Sequence, residues 1–266
     1  MRIGVLGPEG TYSEKAAKHW CPDAELKYFG DFEEVLIAVE AKAVEAGVVP
    51  LENSLEGAVG LTMDSLLHLQ VRIIGEVNLP IRNCLLGKGG CEIKVIISHP
   101  QPLAQCRQYI RDHYPNAEVR TTGSTSHAAK LAQEFPEMAA IAGAGAAEKY
   151  GLLVLARDIQ DAAENVTRFA VVGNETMPAT GRDKTSLVIY LERDRPGALY
   201  DILQEFASRG INLTRIESRP SRRGLGDYYF YIDLEGHVSD RPVMGVLQGI
   251  EKKASMVKVL GSYPRA

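Results

Sequence analysis

Two different rhythms divide this chain, and they limit its fold before any single residue is considered. Over about the first 175 residues, short apolar runs at 2–6, 47–49, 71–77, 95–98, 139–142 and 169–172 alternate with amphipathic stretches such as 32–43, 102–113 and 126–135. Alternation of this kind predicts largely parallel sheets covered by helices, with ligands held at the carboxyl ends of the strands. A polar stretch broken by Gly and Pro at 173–181 ends that pattern. Beyond it, Leu187, Ile189 and Leu191 alternate as one face of a strand, and Leu199, Ile202, Leu203 and Phe206 recur at helical spacing after Pro196. Strands at 211–220 and 228–234, a helix carrying Val243, Val246, Leu247 and Ile250, and a strand through Val257 and Val259 complete a βαββαβ order, the ferredoxin-like pattern. The sequence has no internal repeat and no low-complexity segment.

Composition narrows the partners. The 266 residues suffice for one large domain or two to three smaller ones, and 45% apolar with 24% charged residues is ordinary for a globular protein. Thirty Lys+Arg against 34 Asp+Glu give a formal charge of -4, without the basic surface a nucleic-acid partner needs. Residues 1–6 read as a first strand rather than a secretion signal, and no apolar run approaches the ~18 residues of a membrane span. Cys21, Cys84, Cys91 and Cys106 are scattered without CxxC spacing. The expectation is a cytoplasmic protein with reduced thiols, no metal, no membrane and no nucleic-acid partner.

Four segments carry chemistry. Gly7-Pro8-Glu9-Gly10-Thr11-Tyr12-Ser13 follows the first strand and opens a helix, so it is either an anion cradle or a structural turn. Pro50-Leu51-Glu52-Asn53-Ser54-Leu55-Glu56-Gly57 closes a strand with amide and hydroxyl donors. Thr122-Gly123-Ser124-Thr125-Ser126 is a third hydroxyl-rich turn, in which capping by Ser124 or Thr125, worth about 1 kcal/mol, competes with anion binding for the same N–H groups. In Asn165-Val166-Thr167-Arg168-Phe169, strand parity puts Thr167 and Phe169 on one face and Arg168 on the other. On spacing alone this last segment reads better as an ordinary β-branched and aromatic strand.

These motifs, with Ser98-His99-Pro100-Gln101 between them, resemble in order and nearly full extent the prephenate dehydratase family. Arg195-Pro196-Gly197-Ala198-Leu199, Gly210-Ile211-Asn212-Leu213 and Ile216-Glu217-Ser218-Arg219-Pro220 resemble an ACT domain of the phenylalanine-binding type. The resemblance implies an α/β fold in two parts. The first is a two-lobed, type II periplasmic-binding-protein-like catalytic domain over residues 1–177, with lobe 1 at about 1–77 and 160–177 and lobe 2 at about 78–159, and crossings near 76–79 and 155–161. The second is a ferredoxin-like ACT domain over 184–262. No mutase-like segment precedes Met1, so the single-function form is expected.

The implied activity is decarboxylative dehydration of prephenate to phenylpyruvate in L-phenylalanine biosynthesis, without a cofactor. Thr167 would assist the departing hydroxide and Phe169 would lie beside the ring, with Asn53 and Ser54 completing the catalytic set. Gly10, Thr11, Ser13, Ser124, Thr125 and Arg168 would bind substrate, Arg168 mainly by supporting the strand from its far side. Gly197, Ala198, Leu199, Asn212, Leu213, Glu217 and Ser218 would hold allosteric L-phenylalanine where ACT domains pair. That pairing implies a homodimer, and the family points to a homotetramer. The competing expectations are arogenate dehydratase and, from another class, a two-lobed amino-acid-sensing protein without catalysis.

Overall fold

A computed structural model describes residues 1–162, 164–191, 195–224 and 226–266. The chain begins with β1 (Arg2–Leu6), α1 (Tyr12–Trp20), β2 (Glu25–Phe29), α2 (Phe32–Glu40), β3 (Ala46–Asn53), the short β4 (Gly57–Ala58), α3 (Gly60–His68) and β5 (Arg72–Pro80). It then crosses to a second lobe of β6 (Cys84–Gly87), β7 (Val95–Ser98), α4 (Pro100–Gln105), α5 (Arg107–His113), β8 (Glu118–Thr121), α6 (Thr125–Glu134), β9 (Met138–Ala142), α7 (Gly145–Tyr150) and β10 (Leu153–Ala156). β11 (Val166–Gly173) returns to the first lobe.

The two sheets share one plan. Lobe 1 runs β2-β1-β3-β11-β5, with β4 beside β3, and lobe 2 runs β8-β7-β9-β6-β10. In each, three parallel strands are followed by one antiparallel strand that has arrived from the other lobe, and that strand pairs on its far side with the last. The lobes are thus topological equivalents, although the sequence carries no repeat. This is the two-lobed fold the resemblance implied.

Local chemistry sets the helix starts. Thr11, Asp31 and Ser124 cap α1, α2 and α6 by accepting N–H bonds from Glu14, Glu34 and His127. Two expectations need correction. The stretch 102–113 is two helices, because the backbone leaves helical geometry at Cys106. The first crossing is at 81–83 rather than 76–79, because β5 stays paired with β11 out to Pro80, opposite Val166.

The C-terminal unit is β12 (Asp183–Tyr190), α8 (Ala198–Ala207), β13 (Leu213–Pro220), β14 (Tyr228–Glu235), α9 (Arg241–Glu251) and β15 (Met256–Pro264), an antiparallel sheet ordered β13-β14-β12-β15. Both helices cover one face, where Leu187, Ile189, Ile202, Phe206, Ile232, Leu234, Val243, Val246 and Ile250 form a core. The other face is also dry. Val188, Tyr231, Leu260 and Tyr263 enter a cluster with Val35, Leu36, Met63, Leu66 and Ile73 of lobe 1. The polar linker at 173–181 therefore separates two folds but not two cores.

Several bonds fasten this seam. Lys258 of β15 donates to the carbonyls of Leu66, Leu67 and Leu69 at 2.9, 2.8 and 2.7 Å, satisfying the open C-terminal end of α3 from another domain. Arg219 of β13 reaches Asp64 of α3 at 3.0 and 3.1 Å. At Gly261 a Cβ would stand 2.1 Å from the carbonyl oxygen of Ile73, so only glycine lets β15 approach β5 this closely.

Candidate active site

β3 and β11 end side by side, with Asn53 opposite Thr167. The Asn53 amide is fully determined by its surroundings. Its oxygen accepts from the backbone N–H of Leu55 at 2.9 Å and of Glu56 at 3.2 Å, a local turn of the kind Asn favours. Its NH2 must therefore face the strand, where it donates to Thr167 Oγ1 at 2.9 Å and to Asn165 Oδ1 at 2.7 Å. Thr167 thus accepts from Asn53, and among the described residues no acceptor takes the Thr167 proton. Asn53 and Thr167 are both buried.

From this pair a run of amides crosses to lobe 2. Asn165 Nδ2 donates to Gln105 Oε1 at 3.1 Å, and Asn83 Nδ2 donates to the same oxygen at 3.1 Å. Gln105 Nε2 in turn donates to Glu56 Oε1 at 2.9 Å. Asn83 and Asn165 lie on the two crossing segments, Gln105 on α4 of lobe 2, and Asn53 and Glu56 on lobe 1. The hinge and the candidate reacting group therefore share one hydrogen-bond network. Sequence reasoning missed Asn83, Gln105, Glu56 and the role of Asn165. Only Asn165 and Glu56 lay within motifs already singled out.

Ser54 closes the strand pair: its N–H donates to the Val166 carbonyl at 2.9 Å and its Oγ accepts from the Val166 N–H at 3.0 Å. Its place is beside Thr167, holding the start of β11. Phe169 needs correction. It is 2% exposed and packs with Ile3, Val5, Ala16, Ala17, Val48 and Val77 beneath the site. Parity does put it on the face of Thr167, but α1 covers that part of the sheet, so the ring supports the site from the core.

The turns at 7–13 and 122–126 meet across the cleft. Ser126 Oγ donates to the Glu9 carbonyl at 3.4 Å, and Lys149 Nζ donates to the same carbonyl at 2.9 Å and to Glu9 Oε2 at 3.1 Å. Gly10, Thr11 and Ser13 are thereby placed opposite Ser124 and Thr125. Much of the donor set is already engaged, however. The Gly10 N–H donates to Glu14 Oε2 at 2.6 Å, Thr11 Oγ1 donates to the Leu6 carbonyl at 3.1 Å, and Ser124 Oγ accepts from the His127 N–H at 3.1 Å. In the first turn both the Gly10 N–H and the Thr11 hydroxyl are therefore already committed within the chain. Tyr12 pins the rim to the crossing, its hydroxyl donating to the Arg82 carbonyl at 2.6 Å and accepting from the Arg82 N–H at 3.0 Å. Burial, above all, pushes its pKa up to about 12.

Arg168 does not reach the cleft, which corrects its assignment to substrate. Its guanidinium points through the opposite face of β11 to Glu52, Glu76, Asp233 and Tyr263. Burial opposes its charge, but Tyr263, Asp233 and Glu76 outweigh that and leave its pKa raised.

In the C-terminal unit, Gly197, Ala198 and Leu199 line a cleft of about 310 Å³ with Leu191, Tyr200, Asp227, Tyr228 and Phe230. Gly197 has φ +84, and no side chain caps the N-terminus of α8 that follows it. The rest of the expected set lies elsewhere. Leu213 packs into the core under α8 and α9, while Asn212, Glu217 and Ser218 sit on or beside β13, the free edge of the sheet. Within one chain the phenylalanine set is split, because β14 lies between β13 and the rest of the sheet.

Among the described residues no cluster of His, Cys, Asp or Glu could hold a metal ion, and no helix is long and apolar enough to cross a membrane.

Residues 3–177 match the family model of prephenate dehydratase, and residues 185–252 match that of the ACT domain. A bifunctional chorismate mutase/prephenate dehydratase of Stutzerimonas stutzeri is 47% identical over 270 residues, covering 100% of this chain and 74% of that protein. A prephenate dehydratase of Methanocaldococcus jannaschii is 42% identical over 266 residues, covering 97% of this chain and 96% of that one. Among solved structures, prephenate dehydratase in complex with L-Phe from Arthrobacter aurescens has a TM-score of 0.91 at 40% identity, covering 100% of this chain and 90% of that chain.

Proposed function

Because this chain belongs to the prephenate dehydratase family and carries an ACT domain, we propose that it converts prephenate to phenylpyruvate under allosteric control by L-phenylalanine. The observation that carries the catalytic reading is the one-way hydrogen bond from Asn53 to Thr167, which leaves the threonine proton free to be given away.

The reaction breaks two bonds. The ring carboxylate leaves as CO2, its bonding electrons enter the ring, and the ring C–O bond releases hydroxide as aromaticity is gained. Driving force is ample, and the need is for a donor at the departing oxygen. A threonine is far too weak an acid to hand over its proton before charge develops. Thr167 instead donates a hydrogen bond that strengthens as the oxygen becomes hydroxide, and the proton passes late, while Asn53 holds the resulting negative charge on Thr167 Oγ1. The turns at 7–13 and 122–126 position the two carboxylates and keep water out, which is help through orientation.

For regulation, the split phenylalanine set supports a site built by two chains. Gly197, Ala198 and Leu199 of one chain would receive the carboxylate at the α8 N-terminus, and Asn212, Glu217 and Ser218 would come from the β13 edge of a second. The Arthrobacter aurescens structure with L-Phe supports the ligand.

The experiment is incubation with prephenate, followed by absorbance of phenylpyruvate in base. Parent protein should produce it, and folded Thr167→Ala should lose about 10²–10³-fold in kcat. Near-parent turnover by that variant would sink the catalytic reading.

A further inference from the structure

Directly behind the reacting pair, the seam between lobe 1 and the ACT sheet holds a balanced set of charges, largely buried except for the partly exposed Glu52. Three cations, Arg168, Lys184 and Arg215, face three carboxylates, Glu52, Glu76 and Asp233. Arg168 Nε donates to Glu76 Oε2 at 2.7 Å, Nη1 to Asp233 Oδ2 at 2.6 Å and to Glu52 Oε1 at 3.2 Å, and Nη2 to the Tyr263 hydroxyl at 2.7 Å. Ser186 Oγ donates to Asp233 Oδ1 at 2.5 Å, which leaves the Tyr263 O–H, 2.6 Å away, to donate to Ser186. The bonds close into a ring that starts and ends on Arg168. Lys184 Nζ donates to both oxygens of Glu76 at 2.8 Å, and Arg215 Nε pairs with Glu52 Oε2 at 2.7 Å.

The register gives this cluster its meaning. Thr167 pairs with Asn53, and the next pair along the same two strands is Arg168 with Glu52. One residue, about 3.3 Å of strand, separates the reacting pair from a pair gripped by the ACT sheet. Asp233 of β14 and Tyr263 of β15 hold Arg168, and Arg215 of β13 holds Glu52. Arg168, Glu76 and Asp233 are buried too deeply to tolerate an unpaired arrangement, so if the ACT sheet shifts, Arg168 must follow. Glu52, whose side chain is 32% exposed, is drawn along by its bonds to Arg168 and Arg215. Their side chains project from the face opposite Thr167 on the same ladder, so a tilt of that pair turns its neighbour.

We infer that Arg168 and Glu52 are positioning residues through which the ACT sheet sets the Thr167–Asn53 hydrogen bond, and with it the rate of turnover. The inference rests on the dehydratase reading above. It makes the rate, rather than substrate affinity, the quantity under control, since none of the six charged side chains enters the cleft turns.

The test uses the full chain. Arg215→Met releases Glu52 from the ACT sheet without touching the cleft, and Tyr263→Phe deletes one hydroxyl from the ring around Arg168. Steady-state kcat and KM for prephenate are measured with and without L-phenylalanine, and L-phenylalanine binding is measured separately by calorimetry. Arg215→Met should bind the amino acid as the parent does, keep KM within about 2-fold and lose about 10-fold in kcat, with most of the phenylalanine effect on kcat gone. Arg215→Lys, which keeps the charge, should restore both in part. Tyr263→Phe should show the same split more weakly, and it carries the test if Arg215→Met fails to fold. Parent-like kcat and parent-like response in a folded Tyr263→Phe or Arg215→Met protein overturn the inference, as does a parent whose kcat phenylalanine leaves unchanged. A parent that makes no phenylpyruvate overturns the dehydratase reading as well, which separates the two failures.

Discussion

Asn53 shows how one side chain fixes the chemistry of another. Its oxygen is committed to two backbone N–H groups, so its NH2 has to face Thr167 and Asn165. Asn53→Asp keeps the shape and reverses the direction of the bond. The new carboxylate oxygen accepts the Thr167 proton, which is then no longer available to the leaving hydroxide. The expected result is a fall in kcat of about 10²–10³-fold with KM little changed and the fold intact by circular dichroism. Parent-like kcat would mean that the direction of this bond does not matter. Residue chemistry was only partly legible in the sequence. Thr167 and Asn53 stood in motifs, and strand parity correctly sent Arg168 to the far face. What it faces there, Asp233 and Tyr263, lies 65 and 95 residues away and carries no local signal. The amides Asn83, Gln105 and Asn165 come from three separate segments, and single amides have no periodicity to betray them.

At the scale of elements, the central strands and the amphipathic helices were legible because burial imposes a period on them. The strands the sequence hid are mostly edges. β2 and β10 end their sheets, and β8 is exposed at all four positions, so nothing apolar marks it. β14 misled in the opposite direction: the alternation of Tyr228, Phe230, Ile232 and Leu234 pointed to one buried face, yet Tyr231 and Asp233 on the other face are 2% exposed. Their polar ends are satisfied, Tyr231 by the Met63 carbonyl at 3.0 Å and Asp233 by Arg168 and Ser186, so polar letters do not mark a wet face here. The tightest contact between elements is β15 on β5 at Gly261. Gly261→Ala drives a methyl into the Ile73 backbone, which cannot rotate away as a side chain would. A loss of about 1–3 kcal/mol or more in urea unfolding is expected. Gly123→Ala, where a Cβ meets nothing within 4 Å, should stay within about 0.5 kcal/mol of the parent. Equal stabilities for the two variants would show that the close approach is dispensable.

For the whole molecule, the charged seam makes stability depend on pH in a definite direction. Burial alone would raise the Asp233 pKa, but Arg168 and the Ser186 hydroxyl outweigh it, so the folded value lies below the ordinary one. Its contribution is therefore complete above the unfolded carboxylate value of about 3.9 and is lost as pH falls through the lower folded value. Urea unfolding as a function of pH should show this acid-side loss in the parent. Asp233→Asn should be destabilised already at neutral pH and should depend less on pH below about 4. An unchanged acid slope would remove Asp233 from the account. The shared core of Val188, Tyr231, Leu260 and Tyr263 with lobe 1 has a consequence for anyone wishing to give this enzyme a different sensor. A foreign ACT domain grafted at the polar linker would bring its own underside, and lobe 1 would be left with an uncovered apolar patch and a stranded guanidinium. The working cut runs along the far side of the sheet, keeping Ser186, Arg215, Arg219, Asp233, Lys258, Gly261 and Tyr263 with the enzyme and exchanging only the helices.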